Sequence, residues 1–282
     1  MLNYFKKTAV ARWIKTTFIG RLLIQSAGDW RYPFILVSWW FVRMLVPRRK
    51  VMIDDVSFTL SCTNWITHFR WYLFKTKEPE VRYYIDTYVK DKDIFCDIGT
   101  NVGVFSIYAA KRYPNISVYC FEPEYSNLNA LKENIISNNL MLRTKIYSVA
   151  VSNFVGLSML YLQDISTGAA AHTESKKTIN TTDEGYPVVW AEGIFSATLD
   201  YLCEQLGIIP NTIKIDTDGN EGNVLEGAVK TLSNPNLRSL VIEMPHEDAE
   251  KSRYCYKLLE SAGLRLDWSD RKKTRNEIWV RY

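Results

Sequence analysis

From residue 93 onward, short apolar runs alternate with stretches whose apolar residues recur at helical spacing, a pattern that predicts βαβ units around a parallel sheet. The runs IFCDI (94–98), ISVYCF (116–121), IYSVAV (146–151), TIKID (212–216) and LRSLVIE (237–243) read as strands. Helices are expected over 104–112, 125–138, 199–206, 223–232 and 248–262. In the second of these, Leu128, Leu131, Ile135 and Ile136 share a face, and Asn138 and Asn139 end it. LRLDW (264–268) and EIWVRY (277–282) are joined by a charged turn and read as an antiparallel hairpin at the sheet edge. The expected fold is α/β, a doubly wound, mostly parallel seven-stranded sheet. Residues 163–187 lose all periodicity and read as a long loop, a length that is uncommon without a role, and here a lid over the ligand.

The first eighty residues differ, and are expected to form a basic, aromatic, mostly helical extension (1–80) ahead of the α/β domain (81–282). Lys6, Lys7, Arg12, Lys15, Arg21, Arg43 and Arg48 to Lys50 alternate with aromatics, and acids are nearly missing over the first fifty residues. The apolar run Pro33 to Val42 is about ten residues, against the roughly 20 that a membrane-spanning helix needs. Lys15 and Arg21 also break what would be the apolar centre of a secretory signal. Two readings fit the segment: a helical extension packed on the domain, or one lying at an anionic membrane surface through Trp39, Trp40 and the Arg48 to Lys50 cluster.

Composition narrows the function classes. A hydrophobic content of 47% over 282 residues supports a sizeable core, and a net charge of +4 is far from the concentrated basic face that a nucleic acid demands. Nucleic acid is therefore not the expected substrate. The five cysteines show no CxxC spacing, and Cys96 and Cys120 lie inside apolar runs, so a reducing, cytoplasmic setting is expected.

In a doubly wound sheet the ligand lies beyond the carboxyl ends of the strands. Four of those ends carry an acid: Asp97, Glu122, Asp216 and Glu243. DIGTNVG (97–103) sits where a strand turns into a helix, and Gly99 and Gly103 let the backbone approach a ligand closely. Glu122 closes the next strand about twenty residues on, where an acid takes the ribose hydroxyls of a nucleoside cofactor. Together they point to an adenosine-type ligand in a polar cleft.

The segments DIGTNVGVFSIYAA, CFEPEYSNLNALKENIISNN, TLDYLCEQL, IKIDTDGNEGNVLEGA and LVIEM resemble the FkbM-type methyltransferases in order and approximate spacing, from Asp93 to Glu243. The resemblance implies a class I, Rossmann-like fold that binds S-adenosylmethionine and methylates hydroxyl groups of sugars, glycolipids or natural products. Carried over by position, Asp97, Gly99, Asn101 and Gly103 would wrap the methionine and ribose portions, and Glu122 would bind the ribose. Asn127 matches the family's Asn at the start of the next helix. Near the adenine the family often has an acid after the third strand, whereas this chain has Ser152 and Asn153. The family's KIDVEGAE is here KIDTDGNE, with Asp218 and Asn220 replacing Glu and Ala.

Methyl transfer to an alcohol needs the acceptor held in line and its proton removed by a base, or its acidity raised by a metal. Asp216 is the first candidate for base or metal ligand, with Glu243 and His246 at the next strand exit able to relay the proton. Asp218 and Glu221 either assist or form a helix start, with Asp218 as N-cap. His172 reads as a solvated loop residue. A divalent metal has no compact ligand spacing behind it. Trp65, Trp71, Tyr72, Tyr83 and Tyr84 either stack on sugars or, the favoured reading, pack the core. The acceptor expected is a glycan or small molecule. A nicotinamide-dependent sugar oxidoreductase would share Glu122 but needs GxGxxG, which is missing; a non-catalytic nucleoside-binding protein is the third reading.

Overall fold

Side chains alternate across each central strand, and the alternation decides which helical layer each strand feeds. The structure, a computed structural model, describes Phe34, Val37, Ser38, Phe41 and residues 48–183 and 185–282. Trp39 and Trp40 of the proposed membrane contact lie outside the described residues. Arg48–Tyr282 forms one unit. It runs β1 (Arg48–Ile53), β2 (Val56–Ser61), α1 (Trp65–Leu73), α2 (Pro79–Tyr88), β3 (Ile94–Ile98), α3 (Val104–Arg112), β4 (Ser117–Phe121), α4 (Tyr125–Ser137) and β5 (Thr144–Tyr147). Then come β6 (Ala150–Val151), β7 (Gly156–Leu162), β8 (Thr173–Ser175), β9 (Trp190–Ala197), α5 (Leu199–Leu206), β10 (Thr212–Ile215), α6 (Glu221–Glu226) and α7 (Val229–Ser233). β11 (Ser239–Glu243), α8 (Ala249–Ser261), β12 (Arg265–Ser269) and β13 (Asn276–Val280) complete it.

The seven-stranded sheet has the order β12-β13-β11-β10-β3-β4-β5. β10, β11, β3, β4 and β5 are parallel, while β13 inserts antiparallel between β11 and β12. This is the topology of a class I methyltransferase. Phe95, Val118, Cys120, Val241 and Ile278 face one layer, with α2, α3, α4 and the β1–β2 hairpin. Cys96, Tyr119, Phe121, Leu240, Ile242 and Trp279 face the other, with α5 to α8. Each fully buried side chain of this size contributes about 1.5–3 kcal/mol relative to exposure.

Several expected elements take a different form. The third run splits: Thr144–Tyr147 ends the large sheet, and Ala150–Val151 crosses into a separate four-stranded sheet ordered β6-β9-β7-β8. The helix expected over 223–232 breaks into α6 and α7 at Gly227, where a Cβ would stand 2.1 Å from the Ser152 carbonyl oxygen. The loop 163–187 is partly ordered, holding β8 and a bridge between Thr181 and Pro187. Arg48 to Lys50, assigned to a membrane surface, begin the exposed end of β1. The hairpin is clamped by α4: Asn134 Oδ1 accepts from Ser61 N at 2.8 Å, and Asn138 accepts from and donates to Thr59. Asn138 also C-caps that helix.

Candidate active site

Strand register sets one row of residues at the sheet's carboxyl edge. Ile98 pairs with Phe121 and with Ile215, and Ile215 with Ile242, so the next residue of each strand forms the row Glu122, Gly99, Asp216, Glu243. These four line one cavity of about 300 Å³, the size of a small-molecule site. Gly99 is obligatory in this row: its φ is +74°, and a Cβ would stand 1.7 Å from the Asp216 carbonyl oxygen.

Asp97 lies two residues before the row and one layer down. It is buried, accepts from Ser106 Oγ at 2.6 Å, and faces its register partner Lys214 at 3.3 Å. It does not line the cavity, so its expected contact with the cofactor is corrected to a supporting one. Gly103 likewise sits beneath the loop, where a Cβ would collide with Leu131 Cδ1 at 2.3 Å. Asn101 does line the cavity, in a left-handed conformation at φ 53°, and its backbone N–H donates to Glu122 Oε2 at 2.7 Å. Glu124 N donates to the other Glu122 oxygen at 3.0 Å. Burial pushes the Glu122 carboxyl up to about 7, against the pull of those two N–H donors.

Phe121, Val149, Val151 and Leu160 give the same cavity apolar walls. Ser152 and Asn153, expected at the adenine, lie outside the cavity. The crossing into β6 carries them past it: Ser152 is buried against β9, with its N–H on the Ala197 oxygen, and Asn153 turns outward to donate to Glu226 at 2.6 Å.

At the far end of the cavity stand Asp216, Asp218, Glu243 and Arg275. Lys214 was missed in the sequence because it sits inside an apolar strand. It bridges Asp97 and Asp216, 3.0 Å from the Asp216 Oδ2. Burial works against its charge, but the two carboxylates outweigh it and its pKa is raised. Burial would raise Asp216 too; Lys214 overcomes this and holds it low. Glu243 goes the other way: burial, then the Asp216 charge, push it up to about 9 despite Arg275 Nη2 at 2.6 Å. Lys214 thus favours the ionised form of Asp216, while burial and the neighbouring Asp216 charge favour the protonated form of Glu243 against the pull of Arg275. Oxygens of Asp216, Asp218 and Glu243 lie within 4.8 Å of one another and would suit a hard divalent cation by donor type. Lys214 and Arg275 already supply positive charge to that cluster.

His246 is not part of this arrangement. The turn after β11 directs it to β13, with Nε2 3.6 Å from Glu277, and it does not line the cavity, which removes it as a proton relay. Asp218 is not the N-cap of α6; Asn220 is, without a side-chain bond. Glu221 folds back over the preceding turn, accepting from Thr217 N at 3.0 Å and Gly219 N at 3.2 Å. Of the aromatics before the domain, none lines the cavity: Tyr84 is buried in the core, and Trp65 and Tyr72 are exposed.

The long loop crosses the cavity as a strap. Arg70 Nε donates to Gly168 O at 2.6 Å, Gly168 N donates to Asn127 Oδ1 at 2.7 Å, and Asn101 Nδ2 donates to Ala169 O at 2.7 Å. Ala171 N donates to Asp218 Oδ2 at 2.8 Å. Asn127 therefore acts here as a strap holder at the cavity wall. His172 follows, half-buried rather than solvated, with both ring nitrogens enclosed and unpartnered. Burial lowers its pKa to about 4, so the ring is neutral at pH 7.

Solved structures of similar fold include a putative caffeoyl-CoA O-methyltransferase from Staphylococcus aureus, 10% identical with a TM-score of 0.47, covering 78% of this chain and 93% of that one. The magnesium protoporphyrin IX methyltransferase from Synechocystis, solved with S-adenosylmethionine, is 14% identical with a TM-score of 0.44, covering 78% and 85%. In sequence, the chain is 26% identical over 176 residues to the 31-O-demethyl-FK506 methyltransferase FkbM of Streptomyces tacrolimicus, covering 55% of this chain and 66% of that protein. It is 22% identical over 146 residues to Methyltransferase 1 of Beauveria bassiana, covering 49% and 59%. The chain thus spans about three fifths to two thirds of the length of these relatives. Residues 97–266 match the model of the methyltransferase FkbM domain, and with the sheet order and the row of exit residues this chain belongs to that family.

Proposed function

We propose that the protein transfers the methyl group of S-adenosylmethionine to a hydroxyl of a sugar, glycolipid or related small molecule. One observation carries the reading: Asp216, paired with Lys214, and Glu243, paired with Arg275, share a cavity with the Gly99, Asn101 and Glu122 cradle. The donor set fits the cofactor, with carboxylate oxygens of Glu122 for ribose hydroxyls and apolar walls for adenine. When bound, S-adenosylmethionine supplies an already activated methyl group. The protein's share is to hold an alcohol in line and take its proton. Asp216 is the base, and Lys214 keeps it ionised. The strap closes over that end through Ala171 N, which donates to Asp218 Oδ2.

Oxygen as the acceptor atom is supported by the O-methyl transfer named for the Streptomyces relative. The basic, aromatic start of the chain supports a lipid-linked acceptor at an anionic membrane surface. Among the described residues no helix is long and apolar enough to cross a membrane. All five cysteines are free and buried, which fits a reducing compartment. The test is mass spectrometry of glycans and lipids from cells with and without the protein. A methylated hydroxyl species that vanishes with the gene is expected; identical profiles, together with no methyl transfer by the purified protein to any glycan offered, would refute the reading.

A further inference from the structure

The stretch between Asp55 and Glu78 contains no acidic residue but holds Arg70, Lys75 and Lys77. Within it α1 starts at a capping box made by Asn64 and Thr67. Trp65, Phe69 and Tyr72 recur at i, i+4 and i+7, so they share one face of this helix. That face is bare: the three are 72%, 42% and 67% exposed. A contiguous aromatic stripe left in water marks a contact with a partner or a membrane. The rings of Trp65 and Phe69 lie 5.4 Å apart, and Tyr72 lies 6.3 Å from Trp71. Trp71 joins the stripe to a basic edge: its Nε1 donates to Lys50 O at 3.0 Å, and the Arg49 guanidinium stands 5.9 Å from its ring. Arg48, Lys50 and Met52 are exposed alternate residues of β1 beside it. The other side of α1 holds the strap. Asn64 Nδ2 donates to Thr167 O at 2.9 Å, and Arg70 Nε donates to Gly168 O at 2.6 Å. A Cβ on Gly168 would stand 3.2 Å from the Thr67 methyl and 3.3 Å from an Ile66 methyl.

We infer that α1 docks the protein on an anionic lipid surface, with Trp65, Phe69 and Tyr72 entering the headgroup layer and Arg48, Arg49 and Lys50 meeting its phosphates. Charge complementarity favours lipid as the occupant: tryptophan and tyrosine suit the membrane interface, and a basic edge with no acid in the stretch after it suits phosphate. The helix then lies between the lipid and the strap, so a lipid-linked acceptor reaches the cavity from the surface on which α1 sits. The docking rests on the membrane-surface reading of the acceptor but not on methyl transfer, because vesicle binding is read on the protein alone.

The test is co-sedimentation of the full chain with vesicles of phosphatidylcholine alone, or of phosphatidylcholine and phosphatidylglycerol in equal parts. The wild type should pellet with the mixed vesicles and stay in solution with the neutral ones. Trp65→Ser, Phe69→Ser and Tyr72→Ser together should weaken binding at least about tenfold. Arg48→Gln with Lys50→Gln should weaken it about tenfold and reduce its salt dependence. Equal binding of the wild type to both kinds of vesicle, or to neither, overturns the inference. So does full binding by the triple serine variant, which would move lipid attachment to the first 47 residues. A dimer in sedimentation velocity that the serine variant dissolves, without vesicle binding, would give the face to a second copy instead. If the serine variant does not fold, brominated phosphatidylcholine in the mixed vesicles reads Trp65 directly. It should quench the wild type more than Trp65→Phe, which keeps an apolar ring; equal fractional quenching is decisive against the docking. Vesicle binding through α1 by a protein that methylates no hydroxyl would remove the proposed reaction and leave the docking in place.

Discussion

The two ends of the cavity handle charge in opposite ways. At one end Glu122 is held by two backbone N–H groups, and its pKa climbs to about 7. At the other end Lys214 holds Asp216 low, while burial and the Asp216 charge raise Glu243 against the pull of Arg275. The first end is poised to respond to a ligand that brings hydroxyl donors. The second has its carboxylates paired with cations before any acceptor arrives. A ligand grip and a chemical base can thus be built from the same residue type on one strand row, with partners deciding the role.

Removing the base should have the largest effect. Asp216→Asn is expected to cut turnover by about 10²–10⁴-fold, measured with methyl-labelled S-adenosylmethionine, while S-adenosylhomocysteine binding changes less than about threefold. Equal losses in both would erase the division between the ends.

Lys214→Met comes next, because it leaves Asp97 and Asp216 without their shared cation. Losing one partner of a buried ion network costs about 3–5 kcal/mol, so thermal unfolding should drop by roughly 10 °C. A drop of under about 2 °C would show the lysine to be dispensable beneath the row.

A smaller effect follows pH. The folded pKa of Glu122 is raised from its ordinary 4.5 to about 7, so its contribution to stability is full below 4.5 and is lost as pH rises through 7. A ligand donating two hydroxyls selects the ionised form. S-adenosylhomocysteine affinity should therefore rise from pH 5 to 7, by at most about tenfold per unit, and level off above. A flat profile would mean that Glu122 is already ionised without ligand.

The strap should show the mildest change. Asn127→Ala removes the acceptor for Gly168 N, which is worth about 1–2 kcal/mol, and should raise the KM for the acceptor with little change in kcat. Steady-state kinetics reads this directly.

Much of this frame was legible in the chain. Buried parallel strands such as SVYCF and SLVIE are near-continuous apolar runs, and the acids at their exits stand out against them. The second sheet was not legible, because its pattern runs against the rule. β9 buries Glu192 and Ser196 and exposes Trp190 and Phe195, and β7 buries Ser158 against Ser196 while leaving Leu157 exposed. The row itself was only half readable. A run of letters does not say which residue stands at the edge, so Asp97 read as equal to Glu122 although register puts it one layer lower beside Lys214. Asn101 and Asn127 were found by position, but their hold on the strap depends on where a patternless loop comes to rest.

The account stands on Glu122 gripping the ribose of an adenosyl cofactor. The most direct measurement is the dissociation constant of S-adenosylhomocysteine for Glu122→Ala, with thermal unfolding confirming that the variant is folded. Binding weakened by about 100-fold or more relative to the wild type is expected from the loss of two charge-assisted hydrogen bonds. Wild-type affinity in the folded variant would contradict it.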